Sequence, residues 1–369
     1  MGLLSSPELH GSRPPGGSHV LGLLEAAGLT GRGGASFPTA SKWRAVAERA
    51  GGDAVVIANG AEGEPLSRKD AMLMEKRPHL VIDGALIAAE SVGAGRAILY
   101  AGQEHRRAVL AMRRAIRERP SFERGRLELV EAPKSYIAGE ESAAVHFLNQ
   151  GVAAPTAIPP RPFESGVGGR PTLVQNVETL AQAALIARGR PAGSLLLTLG
   201  GAVARPGVVE VPIGATVAEV LELSGRHGQP RAVLMGGYFG GWVGFEEASS
   251  MTLDPHRLRA AGGSLGCGVV WVLQENADAV GATARVMARL ASESAAQCGP
   301  CFFGLRSLAD ACARIASRLP QANDLHNLRH WSDMVQGRGA CKHPDGAVTF
   351  LRSALRLFEA EFAAAARAA

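Results

Sequence analysis

Cys298-Gly-Pro-Cys301, followed about forty residues later by Cys341, is the grouping in this sequence best equipped for chemistry. Thiolates spaced this way hold soft metals, zinc and iron–sulfur clusters above all. A closed site takes four ligands, yet the residue that would complete a Cys-x2-Cys-x2-Cys run is Ala295. Neither remaining cysteine obviously repairs the gap. Cys312 lies eleven residues past Cys301, roughly 16 Å along a continuous helix. Cys267 precedes an apolar strand and reads as a small buried residue. Zinc would accept three thiolates plus His343, but Cys-Lys-His is a poor version of zinc-site spacing.

Other segments carry polar groups where backbone or ligands come close. Gly31-Arg32-Gly33-Gly34-Ala35-Ser36-Phe37-Pro38-Thr39 feeds a helix expected from about Ala40 to Ala50. Glycine-rich backbone at a helix start offers N–H groups to an anion. It is not a dinucleotide fingerprint, since Ser36 takes the third glycine's place and a helix precedes it. Alone, it is equally a plain structural loop. Asn59-Gly-Ala-Glu62-Gly-Glu64-Pro65 follows a short apolar run, and Tyr136-Ile-Ala-Gly139-Glu140-Glu141-Ser142 opens a helix to about Asn149. Acidic residues in a first helical turn also suit the macrodipole, so that second turn has a structural explanation too.

The elements that must position these residues alternate. Ala54–Ala58, Arg96–Ala101 and Arg126–Val130 read as strands, and Leu80–Ser91 and Glu104–Glu118 as helices. Such alternation implies an α/β fold with a Rossmann-like parallel sheet, whose ligands gather at the C-terminal strand ends. Pro171–Thr179 leads into a helix ending near Gly189, and residues 1–18 form a loose lead-in. After a boundary near 190–195, Leu195–Gly201, Gly207–Val211, a helix at Val217–Leu223, Ala232–Met235 and Gly268–Leu273 suggest a small β-grasp unit. Roughly 276–296, 301–318, 321–336 and 344–365 are helical, enough for a four-helix bundle that brings the three thiolates to one end. The expected domains are thus 1–194, 195–273 and 274–369.

Length and composition agree with a multidomain globular protein: 369 residues, 46% hydrophobic. No apolar run approaches the roughly 20 residues of a membrane span. The N-terminus lacks signal-peptide order, and five unevenly spaced cysteines are not a disulfide framework. The cytoplasm is the expected compartment. A net charge of +5 without an aromatic-interleaved basic groove reads as a solvated face, so nucleic acid is not the expected partner. A basic rim would suit an acidic electron carrier.

In this order, the segments resemble the flavoprotein subunit of respiratory complex I and the diaphorase subunits of NAD-linked hydrogenases and formate dehydrogenases. The likeness runs from about Leu21 to the last helix. It rests on Gly31–Trp43, Asn59–Asp70, Gly139–Glu141 and Pro171–Thr179, with Leu195–Gly225 similar to the soluble-ligand-binding (SLBB) β-grasp, ubiquitin-like module. The resemblance implies FMN and NADH in one cleft and a [4Fe-4S] cluster in the helical bundle. It places Gly31, Gly33, Gly34 and Lys42 at the flavin phosphate and ring, and Asn59 and Asn176 at the ribityl chain or ring edge. Gly139, Glu140 and Glu141 would line the opposite side; Glu62 and Glu64, with the Phe37 ring, would serve the nucleotide. Cys298, Cys301 and Cys341 would hold the cluster. The implied partners are a ferredoxin or thioredoxin-like [2Fe-2S] subunit, and a membrane reductase complex that this chain joins without spanning the bilayer.

Three positions depart from the family pattern. Ala61 replaces an aspartate, Arg161 an aromatic residue, and Ala295 a ligand. Arg161 would suit the 2′-phosphate of NADPH, or pyridine nucleotide binding is lost. The cluster is a three-thiolate [4Fe-4S] cluster whose fourth iron takes water or a side chain such as His343, a [3Fe-4S] cluster, or absent. The rival to an NAD(P)H:acceptor oxidoreductase is a non-catalytic scaffold that keeps the fold.

Overall fold

Apolar strands of the first half alternate with helices that cover them. The computed structural model describes residues 2–4, 13–191, 193–225, 227–260 and 264–367, so much of the expected lead-in over 1–18 lies outside the described residues. Two compact units make up the chain: Met1–Leu197 with Val208–Ile213, and Thr198–Gly207 with Gly214–Ala369.

In the first unit, helices α1 (Ser18–Ala26) and α2 (Thr39–Ala47) precede strand β1 (Ala54–Gly60). Helices α3 (Lys69–Lys76) and α4 (Pro78–Ser91) lead to β2 (Ala94–Gly102), and α5 (Arg106–Glu118) and α6 (Ser121–Arg124) to β3 (Leu127–Ala132). A 3-10 turn (Tyr136–Gly139) opens α7 (Glu141–Gln150), and β4 (Thr172–Asn176) runs into α8 (Val177–Ala187). The sheet order is β3-β2-β1-β4, and its three pairings are all parallel, as the alternation predicts.

Residue types explain this layering. Val55, Val56, Ile57 and Ala58 are all buried, the near-continuous apolar run of a strand covered on both faces. Helix α5 buries Ala108, Val109, Met112 and Ala115, one stripe at helical spacing, and turns its arginines outward. Helix α4 is buried almost all round because it is wedged against α8, β1 and β2. Two features differ from the sequence reading. Thr172–Asn176 is a strand rather than a helix approach, and α3 was not anticipated within the acidic stretch.

The second sheet runs in the order β6-β5-β9-β7-β8, from β5 (Ser194–Gly201), β6 (Gly207–Pro212), β7 (Pro230–Met235), β8 (Gly241–Gly244) and β9 (Val269–Gln274). Strand β9 pairs parallel to β5 and antiparallel to β7. Helix α9 (Val217–Ser224) starts with a capping box between Thr216 and Glu219. Two short helices, α10 (Phe245–Ser250) and α11 (Pro255–Ala260), follow β8.

Helices α12 (Ala279–Ser292), α13 (Arg306–Ala316), α14 (Asp324–Val335), α15 (His343–Leu357) and α16 (Glu359–Ala366) complete the second unit. Helix α12 packs on α13 and α15, and α14 on α13 and α15. The helix expected from 301 begins with a π-helical turn, Pro300–Leu305, and the one expected over 344–365 breaks at Phe358.

Candidate functional site

The four segments singled out in the first half meet at the C-terminal edge of the parallel sheet. Strand order there reverses: β1, β2 and β3 step one way, and β4 lies on the other flank of β1. That switch point opens the crevice in which open α/β sheets bind ligands. Asn59 and Asn176 are register partners across it, at the ends of β1 and β4.

Each asparagine is fixed by its own amide. Asn176 Oδ1 caps α8, accepting from the N–H of Glu178 (2.9 Å) and Thr179 (3.3 Å), while its Nδ2 donates to Asp70 at 2.8 Å. Asn59 Nδ2 donates to the Gly139 carbonyl at 2.8 Å, and its Oδ1 accepts from Ala61 N–H at 3.2 Å. An amide offers two donors and two acceptor lone pairs. One N–H therefore stays available on Asn176, and one N–H plus one lone pair on Asn59.

The glycine loop closes on the same edge. A bridge between Thr30 and Pro38 and a 2.8 Å bond from Gly31 N–H to Phe37 O pinch it shut, and Arg32 N–H donates to Thr179 Oγ1. A Cβ at Gly33 would come within 3.2 Å of Asn176 Cβ, so glycine permits this close approach. Gly34 has φ of 113°. Lys42, one turn into α2, pairs with Glu141 at 2.9 Å, which joins the loop's helix to the Gly139-Glu140-Glu141 turn.

The carboxylates divide by role. Glu140 caps α7, accepting from Ser142 and Ala143 N–H at 2.9 Å and from the Ser142 hydroxyl. Glu62, at φ 41°, accepts from Ser67 Oγ (2.6 Å), Asp70 N–H (3.0 Å) and Ala71 N–H (2.9 Å), capping α3. Buried Glu64 accepts from the Tyr136 hydroxyl at 3.0 Å. Phe37 is 52% exposed, and Ala61 is buried. Arg161 is exposed, its N–H bonded to Glu164.

The sequence reading passed over Lys69. It is buried, with Nζ 2.7 Å from Asp70 and 2.8 Å from Glu178. Burial opposes its charge, but Asp70, Glu178 and Glu62 outweigh that and raise its pKa above the ordinary lysine value. Glu178 Oε1 also accepts from Leu196 N–H. The Asn176–Asp70–Lys69–Glu178 chain thus anchors the floor of the crevice. The visible signal was Lys-Asp after Glu62 and Glu64, three acids around one base.

In the second unit Cys298 and Cys341 stand near enough to Cys301 to act on it electrostatically. Burial first, then the sulfurs of Cys298 and Cys341, pushes the Cys301 thiol up to about 12. Cys301 heads the π-helical turn and is buried, whereas Cys298 and Cys341 are partly exposed. Among the described residues no three His, Cys, Asp or Glu side chains are grouped so that they could hold a metal ion. His343 Nε2 instead bonds the Leu290 carbonyl at 2.7 Å, and its ring packs edge-on against Phe239. Cys312 is fully buried in α13, its thiol pushed up to about 12 by burial and by Asp324.

Comparison with known proteins agrees with this layout. Residues 24–185 match the family model of the Nuo51 FMN-binding domain, 196–225 that of the SLBB domain, and 281–365 that of the NADH-ubiquinone oxidoreductase-F iron-sulfur binding region. The second F subunit of NADH-quinone oxidoreductase from Rhizobium meliloti (strain 1021) is 33% identical, over 94% of this chain and 88% of the relative. The NADH-quinone oxidoreductase F subunit of Escherichia coli (strain K12) is 31% identical, over 94% and 84%. Among solved structures, the NAD+-reducing [NiFe]-hydrogenase in its H2-reduced state superposes with a TM-score of 0.86 at 30% identity. That match covers 94% of this chain, which spans 62% of the hydrogenase chain's length. This chain belongs to the family of NADH-quinone oxidoreductase F subunits, NADH dehydrogenase-type oxidoreductase components with an FMN-binding domain, an SLBB domain and a 4Fe-4S binding region.

Proposed function

We propose that the protein is an electron-transfer flavo-iron–sulfur subunit that oxidises NADH or NADPH and delivers electrons singly to a protein partner. The observation that carries this reading is the meeting of the glycine loop, Asn59, Asn176 and the Gly139-Glu140-Glu141 turn at one strand-order reversal. When bound, FMN takes up hydride and the cluster relays single electrons.

The chain's own residues orient and tune. Gly31, Gly33 and Gly34 leave room for backbone N–H groups to reach the flavin phosphate. Lys42, balanced by Glu141, sets a positive charge beside it. The unspent amide hydrogens of Asn59 and Asn176 serve the ribityl chain or ring edge. Glu62 and Glu140, committed as caps, hold the crevice walls in register, and Glu64 is held by Tyr136. Hydride transfer asks for alignment more than for a general base.

Residues 1–194 form the flavin domain in this reading and 195–273 a ubiquitin-like β-grasp domain. Residues 274–369 form a four-helix bundle in which Cys298, Cys301 and Cys341 hold the cluster. Phe302 and Phe303, 42% and 68% exposed beside Cys301, offer an aromatic face to a ferredoxin or thioredoxin-like [2Fe-2S] partner. Removal of one thiol tests the assignment. Cys298→Ala should keep its flavin and its direct reduction of a small dye by NADH, and lose reduction of a ferredoxin-type acceptor. Parental ferredoxin reduction by this variant would contradict the cluster's place in the path.

A further inference from the structure

We propose that Asp70 is a positioning residue for the flavin, one that acts through Asn176. Its carboxylate engages one hydrogen of the Asn176 amide and so holds the other in place for the ligand. This rests on the flavin reading given above, which assigns Asn176 to the ligand and gives Asp70 no part.

Helix capping decides which end of the amide is which. The Asn176 oxygen accepts from the backbone N–H of Glu178 (2.9 Å) and Thr179 (3.3 Å). A backbone N–H only donates, so the atom facing Asp70 is the nitrogen, which donates to Oδ2 at 2.8 Å. Capping alone leaves the amide free to rock about its oxygen. The bond to Asp70 removes that freedom. Gly33 approaches on the same side, since a Cβ there would lie 3.9 Å from Asn176 Nδ2; the nitrogen thus sits beside the glycine loop.

The place calls for a carboxylate. Asp70 presents Oδ2 to Asn176 and Oδ1 to Lys69 Nζ, 2.7 Å away. Both neighbours are donors, so Asp70→Asn would turn an NH2 group towards one of them. Lys69 is held in turn by Glu178 at 2.8 Å, and Glu178 by the Leu196 N–H at 3.1 Å. On the other side, Glu62 accepts from the N–H groups of Asp70 and Ala71 and fixes the first turn of α3, which carries both Lys69 and Asp70. Lys69, Asp70 and Glu178 are all buried, so water does not readily replace a lost partner. Supporting bonds of this kind hold a ligand-binding group in its productive orientation.

The test is a double-mutant cycle on the full chain, freed of flavin and titrated with FMN while quenching of flavin fluorescence is followed. Asn176→Ser keeps a capping oxygen and removes the amide N–H. It and Asp70→Asn should each weaken FMN binding by about tenfold or more. In the Asn176→Ser background, Asp70→Asn should weaken binding by no more than about twofold further, because its effect runs through that amide. Asp70→Ala, which brings no misplaced donor, serves the same cycle if Asp70→Asn folds poorly. An equal loss in both backgrounds would show that Asp70 supports only the fold and would overturn the proposal, as would parental affinity in the single Asp70 variants. Wild-type protein that binds no FMN would overturn the flavin reading along with it.

Discussion

At the scale of single residues, the buried charges are the most exacting part of the structure. Lys69 stands between Asp70 and Glu178 with almost no access to water. Removing one partner from such a group leaves a charge uncompensated. Lys69→Met should therefore destabilise the first unit by about 3–5 kcal/mol, measured by urea unfolding. A change below about 1 kcal/mol would mean that the carboxylates had taken up protons at little cost.

Glu90 makes a complementary prediction in acid. Although burial opposes its charge, Arg13, the Gly16 N–H and Arg126 hold its pKa down to about 2, from an ordinary 4.5. A depressed carboxylate pKa stabilises the fold above the unfolded value and loses that contribution as pH falls through the folded one. Melting temperature should thus fall between pH 4.5 and about 2, and Glu90→Gln should flatten that part of the profile while lowering stability at neutral pH. A profile of unchanged shape in the variant would remove Glu90 from the account.

Among elements, close packing of α4 on α8 positions the crevice, because α8 begins at Asn176. A Cβ on Gly84 would lie 2.1 Å from the Leu180 carbonyl oxygen, a backbone atom with nowhere to go. Gly84→Ala should cost about 1–3 kcal/mol or more through overpacking and loosen flavin binding at a distance. Thermal unfolding and flavin content of the purified variant measure both effects, and wild-type values for the two would show that the helices part freely.

Elements also show where the sequence was legible. Alternating apolar runs pointed to β1, β2, β3 and the helices between them, since both periods are visible in composition alone. Strand β4 was hidden because Pro171 precedes it and its five residues run directly into a capped helix. Helix α3 was hidden because its cap, Glu62, comes from seven residues upstream of Lys69, outside any capping-box spacing. The break at Phe358 carries no proline or glycine signal. At the candidate site, the segments stood out through glycine and acid clusters, but how each side chain spends its hydrogen bonds did not. Asn176 and Glu140 act as helix caps, a role fixed by backbone geometry.

At the scale of the whole molecule, the match to the Nuo51 FMN-binding domain falls within the first unit and the match to the iron-sulfur binding region within the second. Among the described residues no helix is long and apolar enough to cross a membrane. Family membership rests on three matched domain models and on relatives that cover most of the chain. The most direct measurement is anaerobic purification followed by a visible spectrum, with flavin, iron and sulfide analysis, before and after NADH and NADPH. The account predicts flavin bands with a broad iron–sulfur shoulder, both bleached by at least one nucleotide. Protein that carries flavin without iron or sulfide, and that neither nucleotide bleaches, would contradict it.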